Sequence, residues 1–325
     1  MRVIRYHEYG GPEVLAVEDA EVPTPGPGQV LIRTEAIGVN FIETQLRQDK
    51  GPFRFPLPGS PHGDVVGRVE AVAGATDDEL LGRRVAAWMV QAAYADYVLA
   101  DRTCVLAIPD SIEPAAATVL ASPGQVAYGV LKLGRLVPGD TVLVHAAAGA
   151  IGHLVVQLAK IMGAGRVIGT AGSPTKLDFV RSFGADTAVS YRDADWPDQV
   201  RAATGGEGVD LVLDSVEGAV FAPSLDLLKP LGRLVYYGFA GAEDKLASVA
   251  MPDLFGLKYV VGSAFDAWLA NAPAEAAEGR ERLIEYLAGG RLRTAVHAVL
   301  PLDQAAKAHR IIEDRAQLGR VVLVP

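Results

Sequence analysis

Two short clusters in this chain have the residue types and spacing to hold phosphate groups. The first is His145-Ala146-Ala147-Ala148-Gly149-Ala150-Ile151-Gly152. Small side chains let the backbone approach a pyrophosphate closely, and a helix opening at Gly152 presents unpaired N–H groups and a positive dipole end. Of the G-x-G-x-x-G pattern, Ala147 stands at the first glycine position, with Gly149 and Gly152 at the second and third. A glycine-rich turn between strand and helix also occurs without any ligand, so context must support it. The second cluster is Gly172-Ser173-Pro174-Thr175-Lys176. NAD sites usually place an acid about 20 residues past the glycines, to hold the ribose 2′-hydroxyl. Here no carboxylate occurs before Asp178. Ser173 and Lys176 offer a donor and a positive charge for a 2′-phosphate, and Tyr191-Arg192 lies near them. Lys176 alone reads as a solvated helix residue and Tyr191 alone as strand-end packing. The missing acid together with both favours NADP(H).

Other chemistries find little support. Neither HExxH nor GxSxG occurs, which removes the usual metalloprotease and serine-hydrolase signatures. The single cysteine, Cys104, permits no internal disulfide and suits a reducing compartment. It sits in an apolar stretch and reads as a structural thiol.

The elements that must position these clusters can be traced by periodicity. Thr141–Val144 is a β-branched apolar run, read as a buried strand. The helix after it carries Ile151, Leu154, Val155, Leu158, Ala159 and Met162 at i, i+3, i+4 spacing. His153, Gln157 and Lys160 fall on its other side, which predicts an amphipathic helix. Residues 142–165 are long and apolar enough to suggest a membrane span, but His145, His153, Gln157 and Lys160 interrupt them. Further strands are expected at Arg166–Thr170, Thr187–Ser190, Val209–Leu213, Arg233–Tyr237 and Lys258–Gly262, with helices between. That alternation predicts a six-stranded, mostly parallel, doubly wound Rossmann sheet over residues 123–268.

Residues 1–122 read differently. Apolar runs at Gln29–Ile37, Val65–Val72, Arg84–Met89 and Ala95–Ala100 alternate with Pro/Gly turns, which predicts a partly closed β-barrel. Pro52–Gly63 reads as a loop at the edge of a cleft. The remaining residues, 269–325, show helices at Gly279–Ala288 and Leu302–Arg315, then a strand at Arg320–Val324 that should return to the first domain. The chain has 325 residues, half of them apolar, and a formal net charge of −9. That charge disfavours nucleic acid and anionic membrane as main partners. No signal-peptide pattern opens the chain, and a cytoplasmic protein is expected.

The chain resembles the medium-chain dehydrogenase/reductase superfamily, in particular its zinc-free quinone oxidoreductase (zeta-crystallin-like) branch. The matching stretches are Gly10-Gly11-Pro12-Glu13-Val14-Leu15, Ala36-Ile37-Gly38-Val39-Asn40-Phe41-Ile42-Glu43-Thr44, His145–Gly152, Asp214-Ser215-Val216 and Leu318-Gly319-Arg320. The resemblance implies a GroES-like catalytic domain built from both chain ends, with the nucleotide domain inserted. It implies NADPH contacts at Asn40, at Gly149, Ala150, Ile151 and Gly152, and at Gly172, Ser173, Lys176 and Tyr191. It also implies contacts at Ser215, Val216, Gly238 and Phe239, and a homodimer formed through the edge strand Lys258–Gly262. Where zinc-dependent relatives carry a metal-binding cysteine and histidine, this chain has Asn40 and Gly63, with His62 one residue out of register. No metal is therefore expected. Gln45, Glu217 and Ser60-Pro61-His62-Gly63-Asp64 depart from the common family pattern.

The reading that follows is an NADPH-dependent enzyme passing hydride to a quinone or an α,β-unsaturated carbonyl, acceptors reactive enough to need no Lewis acid. Asn40 and Tyr94 are the candidate catalytic side chains. Asn40 could hydrogen-bond cofactor or substrate, or be a turn residue; Tyr94 could supply a hydroxyl, or be core packing. The alternatives are an enoyl-thioester reductase and a non-catalytic NADPH-binding protein.

Overall fold

The computed structural model describes residues 1–50, 55–74, 78–240 and 247–325. Strands run Arg2–Arg5 (β1), Ala16–Asp19 (β2), Gln29–Val39 (β3), Gly63–Val72 (β4), Arg84–Val90 (β5), Tyr97–Asp101 (β6), Val105–Ala107 (β7), Thr141–Val144 (β8), Arg166–Ala171 (β9), Thr187–Ser190 (β10), Val209–Asp214 (β11), Leu228–Tyr236 (β12), Tyr259–Gly262 (β13), Val296–Pro301 (β14) and Arg320–Val324 (β15). Contacts divide the chain into two compact units. One comprises Met1–Pro123, Ile284–Gly290 and Thr294–Pro325; the other comprises Gly124–Leu283 and Arg291–Arg293. The main stretch of the second unit runs on to Leu283. Residues 269–283 pack on the nucleotide-type unit, where Gly279 lies against the Tyr128 ring with no room for a β-carbon. Residues 52–54 of the expected Pro52–Gly63 loop lie outside the described residues.

The first unit holds a sheet in the order β14-β15-β3-β4-β5-β7, with β6 also paired to β3. β3 is its spine. Its eleven residues bury Val30, Leu31, Ile32, Ile37 and Val39, each contributing about 1.5–3 kcal/mol of transfer free energy. The C-terminal strand β15 lies antiparallel to β3, Val322 opposite Gly38. A helix, Phe41–Arg47 (α1), leaves the end of β3 directly, and two more, Pro114–Ala117 (α2) and Pro123–Leu133 (α3), precede β8. Residues of β3 and β15 therefore meet although the chain between them is nearly the whole protein. The half-buried Cys104 has a thiol pushed up by burial, away from thiolate chemistry.

The second unit is the expected parallel sheet, in the order β10-β9-β8-β11-β12-β13. The helix after β8, Gly152–Ile161 (α4), differs from its expected amphipathic character: His153 and Gln157 are buried along with the apolar residues. The side that reads as polar is covered within the same unit. The His153 ring meets Phe179 and Phe183, from the region of the helix Pro174–Ser182 (α5). Gln157 donates to the Arg293 carbonyl and accepts from the Arg293 N–H. Among the described residues, no helix is long and apolar enough to cross a membrane.

Candidate active site

In the second unit every expected cofactor residue follows the C-terminal end of a strand of the parallel sheet, the edge at which open α/β sheets bind ligands. β8 ends at Val144, and the chain turns through Ala146, a non-glycine residue at φ +48°. Gly152 then passes so close to Ala146 and Ala147 that a β-carbon would collide with backbone. Gly149 is less constrained: its β-carbon would lie 3.2 Å from the Ala146 carbonyl oxygen, a contact that a small local shift could relieve. Glycine at 152 is thus required by the fold itself, apart from any ligand. Among the described residues the N–H groups of Ala150 and Ile151 find no acceptor in the protein. They sit at the N-terminus of α4, where an anion is favoured.

His145 bolts this turn in place. It is fully buried, and its Nε2 and Nδ1 lie 2.8 Å from Ser224 Oγ and Thr170 Oγ1. Ser224 gives its own proton to the Val220 carbonyl at 2.6 Å. Ser224 Oγ therefore accepts from His145 Nε2–H, and Nδ1 accepts from Thr170. Burial lowers the pKa of the ring, which stays neutral.

The second corner lies where β9 and β10 end side by side, Ser190 opposite Ala171. Gly172 leaves space that the Tyr191 ring and Arg192 Nε line, each 3.2–3.3 Å from an imagined β-carbon. Ser173 caps α5, its Oγ accepting from the Lys176 N–H at 3.4 Å. Gly172, Tyr191 and Arg192 thus meet at this corner, Ser173 and Lys176 open the helix that follows, and no carboxylate stands at the end of β9. A third corner joins β11 to β12. Ser215 and Val216 follow β11, and Gly238 and Phe239 come two and three residues after β12. The Ala240 N–H donates to the Ser215 carbonyl at 3.0 Å, and Gly238 packs on Ser215.

The first unit holds a separate buried polar cluster around Asn40, which precedes α1. Asn40 and Glu43 share the capping-box spacing, and the Asn40 N–H donates to Glu43 Oε2 at 2.7 Å. Asn40 Nδ2 donates to Glu43 Oε1 at 3.2 Å and to Asp64 Oδ2 at 3.1 Å. Arg320 Nη1 donates to Asn40 Oδ1 at 2.5 Å, and Arg320 Nη2 to Asp64 Oδ2 at 3.1 Å. The amide orientation is therefore dictated by its neighbours, nitrogen toward carboxylates and oxygen toward guanidinium. Glu43, Asp64 and Arg320 are almost wholly buried. Burial, then the Asp64 charge, push the Glu43 carboxyl up to about 8. Burial also raises Asp64, opposed chiefly by Arg320. The cluster balances its charge with one ion pair, Asp64–Arg320, and a Glu43 that holds its proton at neutral pH.

Tyr94 is placed differently from a hydroxyl open to a bound molecule. It is 0 % exposed within the core of this unit, its Oη 3.1 Å from His309 Nε2. Arg47 donates to His309 Nδ1 at 3.2 Å, so Nε2 carries the proton and points it at Tyr94. Burial, then the Arg47 charge, hold His309 down at about 3. In this arrangement the Tyr94 side chain fills core space and closes a buried hydrogen-bond chain.

Arg192, Glu43 and Arg320 are the site residues that sequence reasoning did not single out for a role. Glu43 carried a usable signal in its Asn-x-x-Glu spacing. Arg320 carried none, because its partners lie far away in sequence. Among the described residues no group of three or more histidines, cysteines, aspartates and glutamates is placed to hold a metal. Glu43 and Asp64 are engaged by Asn40 and Arg320, and the His62 ring stands against Phe55, centroids 4.3 Å apart.

Comparison with known proteins adds independent findings. Residues 26–110 match the alcohol dehydrogenase GroES-like domain family, and residues 150–278 match the zinc-binding dehydrogenase family. The latter stretch contains no cysteine. A 2-haloacrylate reductase from Burkholderia sp. is 33 % identical, the alignment covering 98 % of this chain and 97 % of that protein. A quinone oxidoreductase from Pseudomonas aeruginosa is also 33 % identical, covering 99 % of each. A mycobacterial protein solved in complex with NADPH superposes with a TM-score of 0.92 at 34 % identity, covering 100 % of each chain.

Proposed function

The chain belongs to the quinone oxidoreductase branch of the medium-chain dehydrogenase/reductase superfamily, and from that membership we propose that it reduces a quinone or an α,β-unsaturated carbonyl without zinc. It is an NADPH-dependent oxidoreductase. The observation that carries the cofactor assignment is the acid-free corner of Gly172, Ser173, Lys176, Tyr191 and Arg192. A 2′-phosphate needs donors and positive charge there, and a ribose-binding carboxylate would repel it. The Ala150 and Ile151 N–H groups would hold the pyrophosphate, and Ser215, Val216, Gly238 and Phe239 would flank the nicotinamide half. NADPH, when bound, supplies the hydride. The residues around it orient the acceptor and exclude water.

Asn40 is the proposed polar catalytic side chain, its amide presented in one orientation by Arg320 and the carboxylates. The proton that completes the reduction has a holder in Glu43, which is protonated at neutral pH and bonded to Asn40. Zinc independence is supported by the donor set: an amide at residue 40, a glycine at residue 63, and carboxylates engaged by Asn40 and Arg320.

The test is NADPH oxidation followed at its near-ultraviolet absorbance with quinones, enones and haloacrylates as acceptors, and zinc analysis of the same preparation. Turnover of at least one acceptor class by zinc-free protein is expected; inactivity across all of them, or activity that tracks bound zinc, would refute the proposal. A second reading, reduction of conjugated acids, is favoured by the 2-haloacrylate reductase relative. Crotonyl-thioester turnover above that of all other acceptors would select the enoyl-thioester alternative. The proposal includes a cytoplasmic homodimer joined along β13, where Phe255, Leu257 and Tyr259 are exposed on or beside the edge strand. Sedimentation of wild-type protein and a Tyr259→Asp variant checks the dimer.

A further inference from the structure

Glu217 has a backbone that suits a different residue. Its φ of +66° and ψ of −159° fall in a region occupied almost only by glycine. The residue is nevertheless a glutamate, 3 % exposed. Its carboxylate makes two bonds that glycine could not. Oε2 accepts from the Tyr236 hydroxyl at 3.1 Å, and Oε1 accepts from the Ala247 N–H at 2.7 Å. Tyr236 holds its proton firmly, its pKa pushed up to about 12 by burial and then by Glu217 itself, so it donates throughout the working range.

The backbone at this point is tied just as closely. Asp214 Oδ1 accepts the N–H groups of Val216 and Glu217, at 2.7 and 3.1 Å. The Tyr237 N–H donates to the Asp214 carbonyl at 2.9 Å, and Ala240 N–H to the Ser215 carbonyl. Beside the carboxylate lies a cavity of about 200 Å³ lined by Glu217, Phe221, Tyr236, Ala247, Val260 and Gly262. Among the described residues, Glu217 Oε1 is the hydrogen-bond acceptor of the Ala247 N–H beside that space.

We propose that Glu217 is a positioning residue, a strut that clamps Ser215-Val216 to the end of β12 and to Ala247, and so sets the surface against which the nicotinamide half of NADPH rests. This rests on the cofactor assignment above. A glycine at 217 would relax the backbone yet let the two loops part, which explains why a strained glutamate occupies the position.

The experiment compares Glu217→Gly, Glu217→Gln and Tyr236→Phe with wild type, first without cofactor. Glu217→Gly suits the local backbone and is expected to fold. Hydrogen exchange at the Ala247 amide should be at least tenfold faster in Glu217→Gly, and within threefold of wild type in Glu217→Gln, whose carbonyl still accepts. Calorimetry then measures NADPH and adenosine 2′,5′-bisphosphate, a fragment lacking the nicotinamide half. The expected result for Glu217→Gly is about tenfold weaker NADPH binding with the fragment affinity within twofold of wild type. Unchanged exchange at Ala247, equal weakening of both ligands, or undiminished NADPH affinity would each overturn the strut. If wild-type protein binds neither ligand, the cofactor assignment fails instead, and the exchange measurement still decides whether Glu217 holds the loops.

Discussion

The Arg320 guanidinium occupies the space in front of Gly38 that a β-carbon would fill. Gly38 belongs to β3 and Arg320 opens β15, and both strands are in the core sheet of the first unit. From that position Arg320 reaches Asn40 and Asp64 together. The missing side chain at residue 38 is what lets the ion pair form.

Gly38→Ala should therefore act as an ion-pair mutation although it alters no charge. The alanine methyl would displace the guanidinium and leave Asp64 buried without its counter-ion. Breaking a buried pair costs about 3–5 kcal/mol, and urea unfolding should show a loss of that order. Arg320→Met should cost less than Gly38→Ala if the methionine fills the same space, because no buried cation is then left to be displaced.

Asn40→Asp should be worse than Asn40→Ala at high pH. The two N–H donors of the amide become acceptors facing Glu43 and Asp64, and like charges in a buried site resist ionisation. The stability gap between the two variants should exceed about 1 kcal/mol at alkaline pH, since each unit of pKa shift represents about 1.4 kcal/mol. It should narrow in acid as the carboxyls protonate. Thermal melts across pH provide the comparison.

Glu43 makes the first unit lose stability as pH rises. Its folded pKa, about 8, lies above the usual carboxylate value of 4.5. Between those values the folded protein keeps a proton that the unfolded chain releases, so the stabilisation is complete below about 4.5 and has gone above about 8. Glu43→Gln should flatten that slope, becoming the more stable protein relative to wild type at pH 8 than at pH 5. A wild-type and variant pair with parallel stability profiles over this window would contradict it.

Lys176→Glu and Arg192→Glu should change cofactor choice more than fold. Each removes a cation from the group around Gly172, and a hydrogen bond to a charged group is worth about 1.5–3 kcal/mol. NADPH affinity should fall by one to two orders of magnitude while NADH affinity changes little, measured by fluorescence titration. An equal loss for both nucleotides would remove the 2′-phosphate from this corner.

The strands were the most legible part. Thr141–Val144, Thr187–Ser190 and Arg320–Val324 are found with the expected bounds; β9, β11 and β13 differ by one residue at one end, while β12 begins at Leu228, well before the expected Arg233. Buried strands are short apolar runs closed by Gly, Pro and Asp, and that signal is local. From the sequence the helix α4 reads as half-exposed because His153 and Gln157 are polar. The structure buries both, since each finds a partner within its unit: His153 Nδ1 donates to the Gly149 carbonyl at 2.8 Å, and Gln157 bonds the Arg293 backbone. A polar side chain marks the solvent face only when nothing else can satisfy it.

The residues by themselves determined which segments fold as strands, where a phosphate could meet a helix N-terminus, and that no carboxylate guards the end of the second parallel strand. Those properties depend on neighbours within one or two turns of chain. Tertiary structure alone decided that Arg320 orients Asn40 across 280 residues of sequence, that Glu43 keeps a proton beside Asp64, and that Glu217 bears a glycine-like backbone. Each of these is an electrostatic or steric relation between groups brought together by strand pairing. Its strength comes from the exclusion of water, which no stretch of sequence records by itself.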